Sequence, residues 1–159
     1  RFHHGSQIEL NKWFAHQQQN NFEALPLIWY VRDKYTDHNG YKRTYARLIL
    51  FTSTEPDWFN DERAYESYAK VLEPIFEQVQ ERLSNSKFIN VFGALNKKYD
   101  VLDEPDYGVG LDTSSRLSGS DFNTTTKKGQ KGITIARVDA KIIDFDLEIN
   151  TNCIIKNNC

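Results

Sequence analysis

The chain reads as an α+β fold: an antiparallel β-sheet packed against a long central α-helix and a shorter N-terminal helix, with a long extended loop. Three observations predict it. The stretch from Asn60 to Ser86 repeats its apolar residues with a helical period. The runs that flank it, residues 25–31, 45–52 and 133–149, are rich in β-branched and aromatic residues or alternate strictly. Residues 104–132 carry five glycines, many Ser, Thr and Asp, and almost no apolar periodicity. A sheet covered by helices on one face is the economical packing for that order of elements.

The long helix comes first in the argument because the strands need a cover. Tyr65, Tyr68, Ala69, Leu72, Ile75, Phe76, Val79 and Leu83 fall on one face at α-helical spacing, and Glu62, Arg63, Glu66, Lys70, Glu73, Glu77, Gln80, Glu81 and Arg82 fill the polar opposite face. Asn60 is placed to cap the first turn, with Asp61 and Glu62 where the helix dipole favours negative charge. Pro74 lacks an amide donor and presses on the preceding turn, so the expectation is one helix kinked there. Trp58 and Phe59 are expected to staple its entry.

Before the helix, Ser6 and Glu9 have the spacing of a reciprocal cap, and Leu10, Trp13 and Phe14 give the following helix an apolar face. Residues 25–31 and 45–52 then pair as an antiparallel hairpin, with Asn39-Gly40 supplying positive φ at the turn. After the helix, residues 88–92 and 98–102 are two short strands, and residues 133–149 a long one. In that last strand Ile143, Phe145, Leu147 and Ile149 share one face, and Asp144, Asp146 and Glu148 the other. Residues 1–6, with His3, His4, Gly5 and Ser6, resemble a tag remnant or a disordered N-terminus. Residues 7–159 form a single α+β domain with a flexible arm at 104–132.

Composition limits the function. The 159 residues carry a net charge of −2, which argues against a protein that draws its affinity from neutralising a phosphate backbone. No apolar run is long enough to span a membrane, and no leader pattern opens the sequence, so a cytoplasmic origin is expected. Cys153 and Cys159 are close enough that a bridge would restrain little of the fold, and free thiols are expected.

Candidate chemistry is sparse. Asp144, Asp146 and Glu148 project to one side of a strand, where three carboxylates could hold a divalent cation, but alternating acids are also what any solvent or partner face shows. His16 and His38 stand alone in polar segments, and no Gly-rich phosphate loop or nucleophile elbow is present. Lys127, Lys128 and Lys131, with Arg116 upstream of them, make a small basic patch in the arm, which suits a solvated segment or a contact with an acidic subunit or nucleic acid. The expectation is therefore a non-enzyme with no catalytic residue, metal or cofactor, working through surfaces that include Asp144, Asp146, Glu148, Arg116, Lys127, Lys128 and Lys131.

Four segments carry a resemblance: residues 25–29 (Leu-Pro-Leu-Ile-Trp), 46–50 (Ala-Arg-Leu-Ile-Leu), 54–60 with Arg63, and 71–76 (Val-Leu-Glu-Pro-Ile-Phe). They resemble structural proteins of Bacteroidetes phages and prophages, and the order of elements resembles the tail-terminator and tail-completion proteins of long-tailed phages. The resemblance implies a homo-oligomeric ring, usually sixfold, between the head connector and the tail tube. It further implies neck and tail-tube proteins as partners, DNA passing through the ring without sequence-specific recognition, no membrane, and a place in the virion after synthesis in the host cytoplasm. A free-standing phage or bacterial protein-binding or regulatory module is the alternative.

Overall fold

In the computed structural model, the described residues are 1–18, 25–31, 34–55, 57–92, 99–105, 107 and 138–151. They form a mixed α+β structure built on a seven-stranded sheet. The strands are β1 (Phe2–Gly5), β2 (Leu27–Val31), β3 (Tyr35–His38), β4 (Tyr41–Ser53), β5 (Ile89–Phe92), β6 (Asp100–Glu104) and β7 (Val138–Asn150). The path runs β1-β2-β4-β7-β5, with β3 also paired to β4 and β6 also paired to β7. Every pairing is antiparallel except that of β1 with β2.

The axis of the sheet is the β4–β7 ladder, which runs in unbroken register from Tyr41↔Asn150 to Ser53↔Val138. Because side chains alternate along a strand, this register assigns every residue to a face. One face gathers Leu27, Trp29, Ile49, Phe51, Val138, Ala140 and Ile142, and helix α1 (Gln7–Gln18) covers it with Leu10 and Phe14. The other gathers Ala46, Leu48, Leu50, Ile143, Phe145 and Leu147, and the long helix covers it. The two helices thus lie on opposite faces, which corrects the expectation of a sheet covered on one face only. Two separate apolar sets, one on each face of β4 and β7, each need their own cover.

The expected local chemistry is present in α1. The Ser6 amide donates to Glu9 Oε2 at 2.6 Å and the Glu9 amide donates to Ser6 Oγ at 3.3 Å, a reciprocal cap. Residues 2–5, read as a tag remnant or disordered terminus, form β1 beside β2. There His3 lies 5.6 Å from Trp13 and 6.2 Å from Trp29, ring centre to ring centre. Gly5 is buried, and a Cβ at that position would come within 2.7 Å of Glu9 Oε2 and 3.0 Å of the Trp29 ring. At the β3–β4 turn, Asn39 has φ 48° and Gly40 φ 86°, the positive pair expected of this dipeptide.

The long helix departs from expectation in its first half. It is α-helical over Asn60–Arg63, π-helical over Ala64–Leu72 and α-helical again over Glu73–Ser84. The Glu73 amide reaches back five residues to the Tyr68 carbonyl. Pro74, the next residue, brings no amide, and the wider turn moves backbone carbonyls away from its ring. Buried positions in this half are Arg63, Ser67 and Leu72, spaced by four and five residues, whereas Tyr65 is 60% exposed and Ala69 is exposed too. The apolar face assigned to Tyr65 and Ala69 is therefore corrected: the π period carries the contact line past them. Beyond Pro74 the α period returns, and Ile75, Phe76, Val79 and Leu83 pack against the sheet. At the helix entry Phe59 is 80% exposed and takes the N-cap position expected of Asn60. Its backbone amide donates to Glu62 Oε2 at 2.7 Å, so a carboxylate rather than an aromatic staple closes the turn.

The arm is shorter at its start than expected. Glu104 ends β6 buried, and Tyr107 enters the α1-side core, with its ring centroid 5.1 Å from that of Phe51. The remainder, including Arg116, Lys127, Lys128 and Lys131, lies outside the described residues, as do Cys153 and Cys159. Among the described residues no helix is long and apolar enough to cross a membrane.

Candidate interaction site

Among the described residues, the α1-side face of the sheet is covered for only part of its length. Beyond Ile49 and Ile142 the same face continues through Arg47, Tyr45, Arg43 and Tyr41 on β4, and through Asp144, Asp146 and Glu148 on β7. The three acids expected on one face are there, and the register sets each opposite a named neighbour: Asp144 opposite Arg47, Asp146 opposite Tyr45, Glu148 opposite Arg43. Asn90 and Asp100 extend this face on the outer side of β7. The result is a checkerboard of acids against arginines and tyrosines rather than an acidic stripe.

Its best-defined contact is bidentate. Arg47 Nε and Nη2 donate to the two oxygens of Asp144, each at 2.7 Å. The side chains are 44% and 15% exposed, so the pair keeps one side in water, and its value is orientation more than stability. Asp144 holds the Arg47 guanidinium protonated even more firmly than usual, chiefly through these hydrogen bonds. The Tyr45 phenol is pushed up, first by partial burial and then by the neighbouring Asp144 carboxylate. Farther along, the Asn90 side-chain amide approaches Glu148 Oε1 at 3.5 Å. Tyr41 and Tyr45 are 39% and 48% exposed. A cavity of about 270 Å³ opens where this face meets β6, between Arg47, Asp144, Asp100, Glu104, Gln7 and Tyr107. At its inner end Gln7 Nε2 donates to the Tyr107 hydroxyl at 3.2 Å.

A second polar cluster is buried beneath the long helix. Arg63 Nη1 lies 3.2 Å from Asp139 Oδ1, and Arg63 Nε donates to the Trp58 carbonyl at 3.1 Å. Two residues along β7, the buried Lys141 ammonium contacts Glu73 at 2.8 Å and Asp103 at 2.6 Å. Burial pulls the Lys141 pKa down, but the hydrogen bonds its ammonium donates to the two carboxylates outweigh it and leave the ammonium favoured. The Tyr68 phenol, above Lys141, is pushed well up by burial and then by the Asp139 and Asp103 charges. These ion pairs tie both halves of the helix to β7 and, through Asp103, to β6. Arg63, Asp139 and Lys141 are buried, while Glu73 and Asp103 keep about half of their side chains in water, so the cluster fastens the helix to the sheet from its rim inward.

Sequence reasoning placed the acids but missed their counterparts. Residues 41–47 alternate Tyr, Arg, Tyr, Arg at period two, a signal for a half-exposed strand face that the apolar run after it obscured. Arg63 was assigned to the outer face of the helix and is buried; only the π period brings it round to Asp139. His16 stands in the last turn of α1 and His38 at the end of β3. Among the described residues, no three of His, Cys, Asp and Glu converge as metal ligands. Comparison with family models, curated proteins and solved structures finds no match.

Proposed function

We propose that this protein acts by assembly, as a ring-forming structural component of a phage neck or tail, and that the open half-face of its sheet is the surface that meets a neighbouring copy. The observation that carries the reading is the composition of that half-face. Tyrosine and arginine, the residues enriched at the energetic centres of interfaces, alternate on this face of β4, and Lys42 between them belongs to the other face. The acids of β7 supply the opposite charge in the same plane. Arg43, Arg47, Asp144, Asp146 and Glu148 therefore offer a pattern that a neighbour can complement, which fixes register more than affinity. The resemblance in residues 25–29, 46–50, 54–60 and 71–76 gives this surface its setting, a ring between head connector and tail tube, in the virion.

Sedimentation across a wide concentration range tests the reading. The expected result is a closed oligomer whose formation weakens by more than tenfold in Arg43→Glu, a change on an exposed strand face that spares the core. A strict monomer at high concentration, alone and with neck or tail-tube proteins added, overturns the ring. A monomer that instead binds one unrelated protein through the same face would replace it with a free-standing binding module.

A further inference from the structure

On the opposite face of the sheet, the second half of the long helix stands against β5, and the π-helical half against β4 and β7. Among the described residues the helix leaves the β1–β2 side less covered, and a cleft of about 530 Å³ runs between that side and the helix. Ile28, Leu48 and Phe145 line it from the sheet, Val79 and Leu83 from the helix, and Phe2 of β1 lines it as well. Two polar side chains from the helix, Gln78 and Arg82, stand along this lining. They are one helical turn apart, so both sit on the same rim. No acid lines the cleft, and among the described residues Arg82 has no ion-pair partner.

We propose that this cleft binds an amphiphile with an anionic head and an unbranched apolar chain, such as a long-chain carboxylate, the chain lying over Ile28, Leu48 and Phe145 and the head meeting Arg82 and Gln78. The cleft has the volume of small-molecule sites, which are mainly apolar with a few polar groups that fix orientation. Charge complementarity selects the head: one guanidinium with an amide beside it suits a carboxylate, which accepts from both. The apolar lining selects the tail, since every methylene it takes from water adds to affinity. This inference is independent of the assembly reading, which concerns the other face.

The test is calorimetric titration of the whole chain with saturated carboxylates from octanoate to tetradecanoate, below their micelle concentrations, and with the alcohols of equal length. One saturable site is expected, tightening about threefold to fourfold per added methylene until the cleft is filled. Arg82→Glu, on an exposed position, should weaken carboxylate binding by about tenfold or more and leave the alcohols unchanged. Val79→Trp, which fills the cleft, should weaken both, with an unchanged melting temperature showing that the fold is retained. Absence of a saturable site overturns the proposal. So does binding that ignores Val79→Trp in a folded variant, or that falls equally for acid and alcohol in Arg82→Glu.

Discussion

Replacing Asp139 by alanine should be among the costliest single changes outside the apolar core. Asp139 is fully buried and Arg63 nearly so, 3.2 Å apart, with the guanidinium also held by the Trp58 carbonyl. Removing the carboxylate leaves a guanidinium buried between the helix and β7 without its nearest counter-charge, and breaking such a pair from one side costs about 3–5 kcal/mol. For a chain of this size that is a fall of roughly 6–20 °C in melting temperature. Replacing both partners should cost much less than the sum, because Arg63→Met together with Asp139→Leu removes the uncompensated charge along with the pair. The assay is urea denaturation of the wild type, Asp139→Ala, Arg63→Met, Asp139→Leu and the Met/Leu double variant, the last three read with the wild type as a thermodynamic cycle. A loss below about 1 kcal/mol for Asp139→Ala, or additive losses in the cycle, would refute the buried pair. It would equally refute the π-helical phase that turns Arg63 inward.

Further expectations follow from the same packing. Leu72→Ala should cost about 2–5 kcal/mol, because Leu72 is fully buried. Tyr65→Ala, on the face first assigned to the core, should cost under about 1 kcal/mol; comparable denaturation midpoints would restore the uninterrupted α-helical phase. Stability should decline above pH ~10, since the folded state raises Tyr68 above its ordinary value of 10.0 and Lys141 above 10.5, so the folded chain keeps protons that the unfolded chain releases. That contribution is complete below these ordinary values and is lost as pH rises through the folded values; Tyr68→Phe should flatten the alkaline limb of a pH-dependent urea titration. An unchanged limb would show Tyr68 to be solvated.

The fold class was legible because its signals are local. The cap at Ser6 and Glu9, the Asn39-Gly40 turn and the alternation over residues 143–149 each follow from a few neighbouring residues, and each stands in the structure. What escaped the sequence depends on residues far apart. The division of apolar residues between two faces is fixed by the register of β4 against β7, which hydropathy does not encode. The π-helical turns shift the contact line of the long helix by a fraction of a turn, enough to exchange Tyr65 and Ala69 for Arg63 and Ser67. A pattern search that assumes one period cannot find that exchange, and Pro74 signalled only that something near it must give. The candidate interaction face was half visible: the acids of β7 were plain, while Arg43 and Arg47 acquire meaning only from the strand placed beside them.

The assembly surface is tested most directly by hydroxyl-radical footprinting of tyrosines as the protein concentration is raised through association. Tyr41 and Tyr45 lie on the open half-face, and Tyr65 on the exposed side of the long helix, so the pair and Tyr65 report on different surfaces. Assembly through the sheet face predicts that Tyr41 and Tyr45 lose reactivity together as oligomers form, while Tyr65 keeps its own. Protection of Tyr65 with Tyr41 and Tyr45 unchanged would contradict it.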